Sequence, residues 1–221
     1  MIHIAPSLLA ADFTQLGKEI KKIDKAGADY LHIDVMDGNF VPNMSMGPCV
    51  VESIRKSSKM FYDVHLMIKN PRKYADDFIK AGADGITFHL EAVKSPLPLL
   101  RHIRKAGVKA ALAISPDTPA EAVFPYLENV DMILVMTVYP GFGGQKLIPG
   151  MIGKVRRIRD EITARGLNVD IQVDGGIGLS NVGLLTEAGA NVIVAGSSVF
   201  RAEDVSAAVK GLLSAGYAAI K

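Results

Sequence analysis

Short runs of β-branched and aliphatic residues alternate along the chain with longer stretches whose apolar positions recur every three to four residues. The short runs read as buried parallel strands and the longer ones as amphipathic crossover helices, since parallel strands are covered on both faces and need a crossover between them. The expected strands are 3–7, 30–35, 61–67, 85–90, 108–114, 132–138, 169–174 and 192–196. Their starts fall about every 27 residues, so the chain accommodates eight βα units. Helix punctuation supports the series: "PRKYADDFIKAGAD" opens with Pro71 in its first turn and stops at Gly82, and "TPAEAVFPYL" opens with Thr118 as a cap. The phrase Ala-Gly-Ala-Asp/Asn at 26–29, 81–84 and 188–191 closes a helix just before a strand each time. No linker or low-complexity tract interrupts the pattern, which predicts one α/β domain over 1–221. Closure into a (β/α)₈ barrel satisfies eight such units because it removes exposed sheet edges. A doubly wound open sheet is the alternative, but "APSLLAADF" stands where its Gly-x-Gly-x-x-Gly turn belongs.

Composition narrows the partners. Of the 221 residues 49% are hydrophobic and 22% charged, as in a globular protein. A net charge of +2 without a basic run gives no electrostatic case for nucleic acid and predicts a small-molecule partner. Cys49 is the sole cysteine, so no intrachain disulfide forms, and a small buried thiol is expected. No run approaches the roughly 20 apolar residues of a membrane span, and "MIHIAPSLLA" lacks a leader's basic and apolar segments, which predicts a cytoplasmic protein with no membrane partner.

The chemistry gathers at strand ends. In "YLHIDVMDG" (30–38) side chains alternate, so His32 and Asp34 share a face that Met36 continues. "DVHLM" supplies His65 at the same depth on the next strand, and "VDGG" places Asp174 at the end of the seventh. One inward histidine is usually a satisfied core group. Two imidazoles and two carboxylates converging on the C-terminal mouth of a barrel form instead a ligand set for one divalent cation, zinc first, with iron, manganese or cobalt also suited. Glycine clusters follow the last three strands: "PGFGGQ" (140–145), "DGGIG" (174–178) and "AGSSVF" (195–200). Consecutive glycines let backbone N–H groups reach an anion, and barrels often hold a phosphate at these loops.

With "APSLLAADF", "HIDVMDGNFVPN", "DVHLMI", "MTVYPGFGGQ", "VDGGI" and "AGSSVF" in order, the chain resembles the ribulose-phosphate 3-epimerase family along essentially its whole length. The resemblance implies a TIM barrel of the ribulose-phosphate-binding type, a catalytic divalent metal and reversible inversion at carbon 3 of a phosphorylated ketose, interconverting D-ribulose 5-phosphate and D-xylulose 5-phosphate. It implies His32, Asp34, His65 and Asp174 as metal ligands, with Asp34 and Asp174 as the acid/base pair, one on each face of an enediolate whose charge the metal stabilises. It implies substrate contacts from Ser7, His65, Gly141, Phe142, Gly143, Gly144, Gly175, Gly176, Gly196 and Ser197, a water-excluding wall of Met36, Met67 and Met136, and a homo-oligomer, dimer or assembly of dimers. Asp37 reads as a turn former or as support for a histidine ligand, and His89 with Glu91 as a buried pair or as such support.

Asn39, Tyr139 and Ser115 depart from the family's common wording. They bear on whether the sugar is a pentose or the one-carbon-longer D-allulose 6-phosphate. A lyase or decarboxylase on the same barrel is the more distant reading, and it lacks a lysine at any strand end.

Overall fold

A computed structural model describes residues 1–220. The strands are β1 (His3–Pro6), β2 (Tyr30–Met36), β3 (Phe61–Met67), β4 (Gly85–His89), β5 (Lys109–Ile114), β6 (Met132–Met136), β7 (Asp170–Asp174) and β8 (Val192–Ala195), each within two residues of expectation. All pairings between them are parallel, in the order β1-β8-β7-β6-β5-β4-β3-β2. The two ends of the sheet meet at a parallel bridge between Ser7 and His32, which makes the sheet a nearly closed barrel whose seam lies at the candidate site.

Helices α1 (Leu16–Lys25), α2 (Pro48–Ile54), α3 (Pro71–Lys80), α4 (Leu97–Lys105), α5 (Gly150–Ala164) and α6 (Val182–Glu187) connect successive strands except β5 and β6, and α7 (Ser197–Phe200) and α8 (Val205–Ala219) follow β8. Each longer helix turns one apolar stripe to the sheet; α8 buries Val205, Val209, Leu212 and Gly216, spaced four, three and four apart. Burying each such aliphatic side chain stabilises the fold by about 1.5–3 kcal/mol.

The repeated Ala-Gly-Ala-Asp/Asn phrase has two separable jobs. Its glycines, Gly27, Gly82 and Gly189, take φ of +86°, +97° and +108°, and the following amides reach back to Ile23, Phe78 and Leu185 to satisfy orphan helix carbonyls. Its acid or amide then ties strands laterally: Asp84 accepts from the Tyr62 amide at 2.8 Å and Asn191 from the Ile171 amide at 2.7 Å.

Two local expectations are corrected. The segment after β5 is a 3₁₀ run, Ala120–Asn129, instead of an α-helix, and Pro119 rather than Thr118 occupies its cap. Pro125 inside the run lacks the N–H an α-turn needs, and the Thr118 hydroxyl is engaged elsewhere, by Glu91. Cys49 is exposed instead of buried, because α2 buries Val51 and Ile54 and leaves its first turn facing out.

The barrel interior is layered. Tyr30, Ala111, Met132, Val192 and Val194 fill its base together with Ala5. Above them sits a polar layer of His32, Asp63, Thr87 and Gln172, all fully buried, and above that the open mouth. Among the described residues no helix is long and apolar enough to cross a membrane.

Candidate active site and metal centre

At the mouth, His32, Asp34, His65 and Asp174 each offer one ligand atom, and these atoms lie within 4.8 Å of one another. His32 Nε2 stands 3.2 Å from Asp34 Oδ1 and 3.8 Å from Asp174 Oδ2; His65 Nδ1 stands 3.2 and 3.9 Å from the same two oxygens. The alternation of β2 and β3 brings this about, since Asp34 and His65 are direct partners in the parallel register. Ser7 at the barrel seam donates to Asp34 Oδ2 at 2.6 Å and orients that carboxylate.

Two observations show that this set suits a cation. First, His32 Nδ1 lies 2.7 Å from Asp63 Oδ2, an arrangement that fixes the imidazole proton there and leaves Nε2 buried without a hydrogen-bond partner, aimed at the carboxylates. Second, two carboxylates share one small volume. Burial and the charge of Asp34 push the Asp174 carboxyl up to about 7. Asp34 itself is held far below the usual carboxylate range: burial opposes its charge, and the His32 imidazolium beside it outweighs burial. Burial also works against the charge of His32, but Asp34 and Asp63 keep its pKa well above the ordinary value. Burial lowers the pKa of His65, and that of His89 to about 4, while Glu91 falls to about 2 because hydrogen bonds from His89, Thr118 and Ser115 outweigh its desolvation.

A cation entering this set must therefore displace the proton that Asp174 retains up to about 7 and the one that Asp34 and Asp63 favour on His32. Its apparent affinity rises with pH through about 7, by about tenfold per pH unit for each proton displaced. Calorimetric titration with Zn²⁺ at pH 6 and 8, in buffers of different ionisation enthalpy, counts those protons; equal affinity at both values contradicts the assignment.

Beside the set opens a cavity of about 520 Å³. Ser7, Gly141, Phe142, Gly143, Gly144, Gly175, Gly176, Gly196 and Ser197 all line it, as do Met36, Met67 and Met136. His65, fully buried, is set back behind Asp34 and does not line it. The glycine loops are held rigidly. Gln145 Nε2 donates to the carbonyls of Tyr139 and Phe142, Asn43 Nδ2 to Gly141, and Asn181 bridges the Gly178 amide and the Gly176 carbonyl. Gly176, at φ +67°, could not carry a Cβ, which would meet Leu147 N at 2.3 Å.

Several residues that matter here were not singled out from the sequence. Asp63 shares the inward face of β3 with His65, so alternation alone could have found it; Gln172 Nε2 donates to it at 2.6 Å from across the barrel. Arg201 is the one cationic side chain among the described residues lining the cavity, which Gly178, Ser180, Asn181 and Ser197 also line. A lone arginine after a four-residue helix leaves no trace in the pattern. Asp37 accepts from the amides of Asn39, Phe40 and Lys69, which makes it a loop organiser rather than support for a ligand. Tyr139 donates to Asp117 and the Ser115 amide to Glu91; neither residue, nor Asn39, lines the cavity.

A barrel with a four-residue ligand set and a glycine-lined cavity at its C-terminal mouth has the layout of a (β/α)₈-barrel enzyme, whose site sits at that face. The model of the ribulose-phosphate 3 epimerase family matches residues 3–200. The chain is 49% identical over 213 residues to a ribulose-phosphate 3-epimerase from Synechocystis sp., covering 96% of this chain and 93% of that one. It is 44% identical over 210 residues to the Bacillus subtilis ribulose-phosphate 3-epimerase, covering 95% and 97%. Among solved structures, KGPDC from Streptococcus mutans superposes with a TM-score of 0.73 at 14% identity, covering 100% and 99% of the chains, a likeness of fold. The chain belongs to the ribulose-phosphate 3 epimerase family.

Proposed function

We propose that this isomerase inverts carbon 3 of a phosphorylated ketose, interconverting D-ribulose 5-phosphate and D-xylulose 5-phosphate by proton transfer between two aspartates. The observation that carries the reading is the meeting of Asp34 and Asp174, from strands on opposite sides of the seam, around one set of ligand atoms at the cavity floor. Asp34 takes the proton from carbon 3 on one face; the C–H electron pair moves toward the carbonyl and leaves an enediolate. Asp174, partly open to the cavity at 16% side-chain exposure, returns a proton to the other face, and the roles exchange in reverse. Ser7 holds Asp34 in place, and Met36, Met67 and Met136 keep water from the planar sugar. A divalent cation held by His32 Nε2, His65 Nδ1, Asp34 and Asp174 supplies positive charge against the charge developing on the sugar oxygens. Arg201 and the loops at Gly175, Gly176, Gly196 and Ser197 receive the phosphate.

No lysine lines the cavity among the described residues, and Lys154, on α5, spends its ammonium on three carbonyls of the β5 loop, which disfavours a lysine-dependent lyase. The same reading takes zinc as the first cation, one domain over 1–221, a cytoplasmic setting and a homo-oligomer, either a dimer or an assembly of dimers. A coupled assay after chelation and metal readdition tests it: activity disappears, returns with the cation, and favours ribulose 5-phosphate over allulose 6-phosphate. Arg201→Gln raises KM about tenfold at unchanged kcat, the expected cost of one charge-assisted phosphate contact. Activity surviving full chelation overturns the metal, and preference for the hexose overturns the substrate.

A further inference from the structure

Behind the ligand set, four polar groups stand in line. Asp34 Oδ1 lies 3.2 Å from His65 Nδ1, His65 Nε2 lies 3.0 Å from His89 Nε2, and His89 Nδ1 lies 3.2 Å from Glu91 Oε2. Both imidazoles are fully buried, so no bulk water intervenes. Each gap needs one proton to become a hydrogen bond, and both ends are carboxylates that only accept. Three gaps face two neutral imidazoles carrying two protons. If those protons sit between His65 and His89 and between His89 and Glu91, the gap left over pairs a lone pair on His65 with an oxygen of Asp34. That gap belongs to the ligand set, and a cation there replaces the missing proton. In the reverse arrangement Glu91 faces a lone pair and His65 Nδ1 is blocked by hydrogen.

We infer that His89 and Glu91 are positioning residues that hold His65 in its Nε2–H tautomer and so present Nδ1 to the metal, with Glu91 registering this setting against the β5 loop. The inference rests on the metal reading above. Glu91 is held from its far side: Oε1 accepts from the Ser115 amide at 2.8 Å and from the Thr118 hydroxyl. Lys154 clamps the same loop from outside through the carbonyls of Ser115, Pro116 and Thr118 at 3.0, 2.7 and 2.7 Å. With one oxygen occupied by two loop donors, the other is aimed at His89.

Glu91→Gln tests the direction of the chain. Its amide oxygen satisfies Ser115 and Thr118, which turns the NH₂ group toward His89 Nδ1, reverses both protons and places one on His65 Nδ1. Zn²⁺ affinity then falls about 10- to 100-fold while the metal-free unfolding midpoint stays near the parental one. Independently, nitrogen-15 NMR of the imidazoles in the Zn²⁺-loaded parent finds His65 protonated on Nε2 and His89 on Nδ1, a readout that decides even if the variant fails to fold. Parental Zn²⁺ affinity in Glu91→Gln, or a His65 proton on Nδ1 in the loaded parent, overturns the inference alone. A parent that binds neither Zn²⁺, Mn²⁺, Co²⁺ nor Fe²⁺ overturns the metal reading with it.

Discussion

Asp174→Asn lowers kcat by about 10³- to 10⁴-fold in both directions, at the upper end of what one positioned acid/base group contributes. The amide keeps the shape of the carboxylate but neither accepts nor delivers a proton at the second face of the sugar. The fold survives, because the histidines paired with the Asp174 carboxylate, His32 and His65, stand at 3.8 and 3.9 Å, beyond hydrogen-bond reach, and the substitution removes a carboxylate that burial and the charge of Asp34 disfavour. Asp34 remains, so one half of the reaction persists: in D₂O the variant exchanges the carbon-3 hydrogen of ribulose 5-phosphate without inverting it and leaves xylulose 5-phosphate unexchanged. Mass spectrometry of both sugars, at saturating Zn²⁺, reads the asymmetry. Interconversion above a tenth of the parental rate, or equal exchange into both epimers, removes Asp174 from its role.

Gly176→Ala lowers stability by about 3 kcal/mol, a sum of left-handed backbone strain at φ +67° and a steric clash. The added methyl carbon would lie 2.3 Å from Leu147 N and 2.7 Å from Gln145 O, both backbone atoms of the loop after β6, so neither neighbour can rotate away. For a chain of this size the midpoint of thermal unfolding drops by about 6–12 °C. Because the same displacement opens the glycine-lined end of the cavity, inhibition by inorganic phosphate weakens at least tenfold. Gly143→Ala is the control: its Cβ meets nothing within 4 Å and its φ is not positive, so stability changes by less than about 0.5 kcal/mol. A Gly176→Ala protein with parental midpoint and phosphate inhibition contradicts the packing described here.

The features legible in the sequence are those with a local cause. Burial on both faces makes each barrel strand a near-continuous apolar run, and helix ends need a glycine in the left-handed region, so strands and the Ala-Gly-Ala-Asp phrases announce themselves. His32, Asp34 and His65 stood out because alternation puts polar side chains on one face of apolar strands. Alternation puts Asp63 on the same inward face, but its role as the partner of His32 appears only when β2 and β3 lie side by side. Thr118 failed as a cap for a related reason: a hydroxyl's partner is chosen by distance in space, and Glu91 from the β4 end reached it first. Gln172, 109 residues from Asp63, carries no local mark at all.

Periodicity by itself determined eight parallel βα units, the strand ends that carry the chemistry, and the glycine turns after the last three strands, because each follows from burial or backbone freedom within a few residues of chain. Tertiary structure alone decided which nitrogen of each histidine faces the two carboxylates, that the seam between the first and last-paired strands falls at Ser7 and His32, where Ser7 also bonds Asp34, and that Arg201 reaches the cavity. Proton positions and charge pairing depend on what stands about 3 Å away in space, and barrel closure, not sequence spacing, sets those neighbours.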